Sequence, residues 1–257
     1  MKVTPKGTLA TVAAVLIAAV CVRLGFWQLD RLEQRRERNA AITAATSLPT
    51  LDLVADSLAE LMRRPDAYRY RRARVRGLYI PDGDLLLRGR AMEGRPGVHL
   101  VTPLRIAGTD TAILVLRGWI PAPDAATADP RPYAEPGSQE VEGIIETTSN
   151  AGGPIPVPET VNGAPVATYQ RINTRALRGS ITYPLLPVYL QILPGPSSAA
   201  PAPGGGSGAP ALQRVPLPPL DEGPHLGYAI QWFGFASVAI IGMLVVLVKQ
   251  HRDERRG

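Results

Sequence analysis

Two uncharged apolar runs, one near each end, limit what this chain can fold into more than any other feature. Residues 8–22 (TLATVAAVLIAAVCV) and 226–248 (LGYAIQWFGFASVAIIGMLVVLV) contain no Asp, Glu, Lys or Arg. A helix needs about 20 apolar residues to cross a bilayer core. The second run meets that length outright. The first meets it if the span continues to Trp27 and Arg23 snorkels toward the headgroups. The pattern predicts a membrane α+β protein. Two transmembrane helices, 8–27 and 226–248, flank a mostly antiparallel β domain at 28–222, with short tails at 1–7 and 249–257. A cleaved signal peptide is the competing reading of the first run, because Lys2 and Lys6 precede it. No small-x-small cleavage site followed by a polar start is evident. Val20 is also branched where a lipoprotein site at Cys21 would need a small residue.

The charge distribution sets an expected orientation. The chain carries a net +6, yet residues 50–222 hold 17 Arg against 17 Asp plus Glu. The basic excess therefore lies beside the two apolar runs, and it argues against a nucleic-acid partner. The tail after the second run, KQHRDERRG, is strongly basic, while Asp221 and Glu222 precede that run. The positive-inside rule then puts both termini in the cytoplasm of a plasma (inner) membrane protein and the domain outside it. The single cysteine, Cys21, lies in the first run, so the domain has no disulfide and no cysteine metal site.

Between the runs the periodicity changes. Residues 28–46 mix charges at helical spacing and continue the first helix. Residues 52–64 place Leu53, Val54, Leu58 and Leu61 on one stripe, with Asp52 as a cap. Six β-type runs follow, at 68–80, 84–90, 98–106, 111–120, 140–147 and 186–192, separated by turns such as Pro81-Asp82-Gly83 and Gly94-Arg95-Pro96-Gly97. They predict an antiparallel sheet or partial barrel. Asn173 would cap a short helix over 173–180. Residues 194–219, rich in Pro, Gly, Ala and Ser, read as a flexible tether or surface loop.

No nucleotide loop, zinc-protease motif or nucleophile elbow occurs, and the carboxylate spacing selects no acid pair, so the chain is not expected to be an enzyme. The entry to the second apolar run stands out. At 100° per residue His225, Tyr228, Trp232 and Phe235 fall within an arc of about 80°. An interfacial aromatic belt is the plain reading. An imidazole followed by flat aromatics would also suit a large planar cofactor such as haem. Gly227 and Gly234 lie on the opposite face, and Ala10, Ala14 and Ala18 give the first helix a small-residue face for packing. His99, in a predicted strand, reads as structural. The dense arginines Arg69, Arg71, Arg72, Arg74 and Arg76 read as a solvated face, or as a dock for anionic headgroups, haem propionates or an acidic partner.

Taken together, several short segments resemble the Surfeit locus protein 1 family. They are Gly25-Phe26-Trp27-Gln28 with Arg31, Gly77 and Tyr79 before Pro81-Asp82, and Gly94-Arg95-Pro96-Gly97 leading to Thr102-Pro103-Leu104. Arg117-Gly118-Trp119-Ile120-Pro121 and His225-Leu226-Gly227-Tyr228 with Gln231-Trp232-Phe233 complete the set. The stretch 194–219 looks like an insertion. The resemblance implies an assembly factor of the respiratory chain, acting on haem-copper cytochrome c oxidase as a chaperone that handles or inserts haem a. The catalytic subunit or its assembly intermediates, and membrane lipid, would be the partners. It implies His225 as a ligand to haem iron, with Tyr228 and Trp232 lining the cofactor. A membrane-tethered enzyme, or a structural scaffold of the envelope acting on an extracytoplasmic partner, is the alternative.

Overall fold

A computed structural model describes residues 5–149, 158–161, 164–177, 179–195 and 212–254. The chain divides into two units, Met1–Ala41 with Pro219–Gly257, and Ile42–Pro218.

The first unit is a pair of helices. Helix α1 (Pro5–Ser47) carries the first apolar run and continues through the charged segment as the spacing predicts. Its last turns belong to the second unit. Helix α3 (His225–Glu254) carries the second run. Both are long and apolar enough to cross a bilayer. Their apolar side chains point outward around the axis: Val15, Leu16, Ile17 and Val20 on α1, and Ile230, Val238, Ile241 and Val245 on α3, are each at least half exposed. The two helices run antiparallel, with Gly25 against Phe233 and Arg36 against Glu222.

The small-residue expectation is half right. Ala18 is buried and Ala14 half-buried, but Ala10 is exposed. Gly227 and Gly234 have open space where a side chain would go. The seam on α1 instead follows Ala18, Cys21, Gly25 and Gln28, alternating steps of three and four as packed helices do. On α3 the seam is His225, Ala229, Phe233 and Ala236. The ring of Phe233 fills the place of a Gly25 side chain, whose Cβ would lie 2.6 Å from it. Phe26 meets the same ring edge-on at 5.4 Å.

The second unit is β-rich. Strand β1 (Leu51–Asp52) and helix α2 (Ala55–Arg63) lead into β2 (Arg72–Tyr79), β3 (Leu85–Met92), β4 (Arg95–Ile106), β5 (Ala112–Pro121), β6 (Ser138–Thr147), β7 (Pro158–Val161), β8 (Ala164–Tyr169) and β9 (Leu185–Gln191). Strands β2, β6, β9, β5 and β4 form a ring that closes through β4 and β2, while β3, β8 and β7 extend from β4. Numbered in chain order, the five ring strands run 1-2-3-5-4 and back to 1, with the third and fifth parallel. That is the Greek-key order of small barrels that bind oligonucleotides and oligosaccharides on the face of their second and third strands. Here that face is covered by the chain itself. Val101, Leu114 and Leu116 pack under Leu85, Leu87, Ile172 and Leu177.

The barrel core consists of inward residues at period two, including Ala73, Val75, Leu104, Ile106, Ile113, Val115, Val141, Ile145, Val188 and Leu190. Leu53, Leu58 and Leu61 of the α2 region join this cluster. Val54, predicted to lie with them, is exposed. Asp52 does not cap α2, because it pairs in β1 with Arg74 of β2. Val54 is the N-cap and has no side chain to cap with, and Ser57 in the first turn accepts instead from Val54 N at 3.1 Å.

Other sequence readings are also corrected. The turn before β4 is Glu93-Gly94, both at positive φ, whereas Pro96 and Gly97 lie inside the strand. Residues 173–177 form turns rather than a helix, although Asn173 Oδ1 does accept from Arg175 N and Ala176 N. Part of the expected tether, 196–211, lies outside the described residues. Residues 212–217 are held on the barrel: Leu212 is buried in a core cluster, and Trp119 N donates to Gln213 O at 2.7 Å.

Candidate functional site

Two polar constellations stand out, one in each unit. In the helix pair, His225 opens α3 and faces the seam. Its Nδ1 lies 2.9 Å from Gln28 Oε1 on α1. Gly223, two residues before it at φ +67°, packs beside the other edge of the ring, where a Cβ would sit 3.5 Å from His225 Nε2. Arg35 Nη2 lies 3.9 Å from the same point. Just beyond, Arg36 grips Glu222 through two hydrogen bonds of 2.8 and 3.0 Å, Arg35 approaches Asp221 at 3.9 Å, and Asn39 donates to Asp221 O at 3.0 Å. The hydrogen bonds from Arg36 hold the Glu222 carboxyl below its ordinary range. The mouth of the pair thus has one half-buried imidazole whose Nε2 makes no hydrogen bond among the described residues, with the guanidiniums of Arg35 and Arg36 nearby.

Of the sequence-predicted residues, His225 sits on the packing seam. Tyr228 is 47% exposed on the outer side of α3. Trp232 is half-buried and meets Phe235 edge-on at 5.9 Å. Sequence reasoning missed Gln28, Gly223 and the Arg36–Glu222 pair. Gln28 carried a faint signal: it is the polar member of a seam otherwise made of Ala, Cys and Gly.

In the barrel, Arg117 is only 2% exposed. Its Nη2 lies 3.0 Å from Glu135 Oε1 and donates to Tyr133 O, and its Nη1 is 3.4 Å from Thr102 Oγ1. The guanidinium stacks 4.8 Å from the Tyr79 ring. Arg214 Nη1 donates to Arg117 O at 2.5 Å, and its guanidinium lies 3.8 Å from Glu135. Burial raises the pKa of Asp84, which accepts from Thr102 Oγ1, and also raises that of the Tyr79 phenol. Arg117-Gly118-Trp119 is thereby structural. Gly118 lets Gln213 O approach to 2.6 Å of its missing Cβ, and Trp119 Nε1 donates to Arg90 O at 3.3 Å while its ring occupies the space a side chain at Gly97 would need.

Three members of the arginine run, Arg69 before β2 and Arg74 and Arg76 within it, pair with glutamates of β6. Arg76 meets Glu140 at 2.6 Å, Arg74 meets Glu140 and Glu142 at 3.5 and 3.3 Å, and Arg69 meets Glu146 at 3.0 Å. His99 lies in β4 opposite Trp119 and Leu87. Among the described residues no three His, Cys, Asp or Glu side chains converge on a metal position.

An antiparallel pair of long apolar helices, separated in sequence by a closed β-barrel domain and bearing a histidine at the mouth, defines the class of protein. A family model described as the SURF1 family matches residues 15–237. The chain belongs to the SURF1 family, known generally as cytochrome oxidase assembly factors and not as an enzyme family. A SURF1-like protein of Rickettsia felis is 34% identical over 102 residues, covering 39% of this chain and 41% of the relative's own length. An uncharacterized SURF1-like protein of Mycobacterium tuberculosis is 27% identical over 231 residues, covering 90% of this chain and 79% of its own. A SURF1-like protein of Drosophila melanogaster is 25% identical over 244 residues, 87% of this chain and 72% of its own.

Proposed function

We propose that this protein is a membrane-anchored assembly factor for a haem-copper cytochrome c oxidase, and that it holds haem a at the mouth of its helix pair for delivery to the catalytic subunit or an assembly intermediate. Family membership supports the assembly role. The observation that carries the haem reading is the setting of His225, with Nδ1 engaged by Gln28 and Nε2 making no hydrogen bond among the described residues. Haem iron takes one neutral imidazole nitrogen as an axial ligand, and this setting leaves one available. Arg35 and Arg31 would pair with propionates, and Tyr228 and Trp232 would lie along the ring. When bound, the haem would bring redox chemistry and the chain's residues would only bind, orient and shield it.

In this reading α1 and α3 cross the membrane. Apolar side chains exposed all round two long helices favour hydrocarbon over water, by about 25 cal/mol per Å². The basic residues after α3 support an orientation with both termini in the cytoplasm and the barrel domain outside.

The test is an absorption spectrum of the full chain, purified from cells that make haem a. A Soret band is expected in the wild type and in His99→Ala. His225→Ala should lose or shift it while still inserting in membranes, and should fail to restore oxidase activity in a strain lacking the protein. An unchanged haem spectrum in His225→Ala would sink the ligand assignment.

A further inference from the structure

We propose that Gln28 is a positioning residue that fixes the tautomer and ring orientation of His225, so that α1 and α3 build the ligand position together. This rests on the haem reading above and adds a residue to it.

An amide in an apolar helix seam is costly unless it is hydrogen-bonded. Three earlier seam positions on α1 are Ala18, Cys21 and Gly25, which bring the helices close and offer no polar group. Gln28 breaks that pattern at the level of His225, and its Oε1 lies 2.9 Å from the ring Nδ1. A carbonyl oxygen can only accept, so the ring proton sits on Nδ1. The lone pair is then on Nε2, the nitrogen that makes no hydrogen bond among the described residues. Had Gln28 presented its NH₂ group instead, Nε2 would carry the proton and could not bind iron. Partners of this kind hold a ligating histidine in the correct tautomer and raise its basicity, and removing them typically costs about 10- to 100-fold in affinity. The position also cannot slide, because Phe233 locked on Gly25 and Glu222 gripped by Arg36 fix α3 against α1 on either side of the pair.

The experiment compares Gln28→Leu and Gln28→Glu in the full chain, purified from cells making haem a. Glutamate at 28 keeps an acceptor for Nδ1–H and adds electron density to the imidazole. It should retain the Soret band and lower the midpoint potential of the bound haem. Leucine removes the acceptor while keeping the bulk and the helix. It should weaken haem retention by about 10- to 100-fold at wild-type levels of inserted protein. If both variants match wild type in retention and potential while His225→Ala loses the band, the positioning role is wrong and the ligand reading stands. If both lose haem equally, together with folded yield, Gln28 is a packing residue and the proposal fails. If His225→Ala keeps its band, the ligand reading falls and takes the proposal with it.

Discussion

The barrel and the helix pair each contain a polar group where an apolar one would be expected, and they treat it in opposite ways. In the barrel, Arg117 meets Glu135, Tyr133 O, Thr102 and the Tyr79 ring, so the charge is enclosed by the fold, although its Nε has no hydrogen-bond partner among the described residues. In the helix pair, His225 has one nitrogen held by Gln28 and the other without a hydrogen bond among the described residues. A group surrounded on every side stabilises or specifies a fold. A group held on one side and open on the other is arranged to meet something else. This contrast supports the proposed haem position at the mouth of the helices, and the barrel motif Arg117-Gly118-Trp119 serves architecture.

The largest effect should come from breaking the contained group. Arg117→Met leaves Glu135, whose side chain is 10% exposed, without its closest cation. Removing one partner of a buried pair costs about 3–5 kcal/mol, whereas replacing both is often nearly neutral. Denaturant unfolding of the full chain in detergent should therefore show a large loss for Arg117→Met and substantial recovery for Arg117→Met with Glu135→Gln. No recovery in the double variant would mean that Arg117 acts mainly through its backbone and Tyr79 contacts.

An intermediate effect separates the two glycine types in the helix pair. Gly25→Leu drives a side chain into the Phe233 ring, while Gly234→Leu points into open space. Cysteines introduced across the seam should cross-link poorly in the first variant and normally in the second. The reverse result would restore the sequence expectation that Gly227 and Gly234 form the contact.

That expectation failed for a physical reason that also explains where sequence reading succeeded. Strands β2, β3, β4, β5, β6 and β9 were legible because short runs rich in β-branched and large apolar residues are bounded by turn signals, and β2 also alternates along its length. The β1 pairing of Leu51 and Asp52 is too short to show a period, and β7 and β8 are rich in Pro and Ala with little alternation. Leu212 to Leu217 looked like a linker because prolines interrupt them, although their backbone and Leu212 are held by strand β5 and its neighbours. The stripe from His225 to Phe235 identified the aromatic side of α3. It could not reveal that α1 would pack about 90° away from the centre of that stripe, along Ala229, Phe233 and Ala236. Position made His225 conspicuous, whereas Gln28 gains meaning only from a partner 197 residues away.

The smallest effect concerns His99, and it tests whether the barrel uses its histidine as the helix pair is proposed to use its own. Burial in β4 and the nearby Arg90 guanidinium push the His99 pKa down from 6.5 to about 4. The folded protein therefore holds His99 neutral where the unfolded chain would protonate it. A depressed histidine pKa means the unfolded state binds more protons between those values, so stability is complete above about pH 6.5 and declines as pH falls toward about 4. His99→Gln removes the titrating group while keeping a polar side chain of similar reach. Its unfolding midpoint should change less than that of wild type across this window, and the two should differ by a constant amount above it. Since neither protonation nor loss of His99 touches the Gln28–His225 pair, the haem spectrum at neutral pH should be the same in both. An identical acid slope in His99→Gln would assign the acid sensitivity to other groups. A changed haem spectrum would mean that the barrel histidine communicates with the helix mouth, and the division between a structural barrel and a functional helix pair would have to be redrawn.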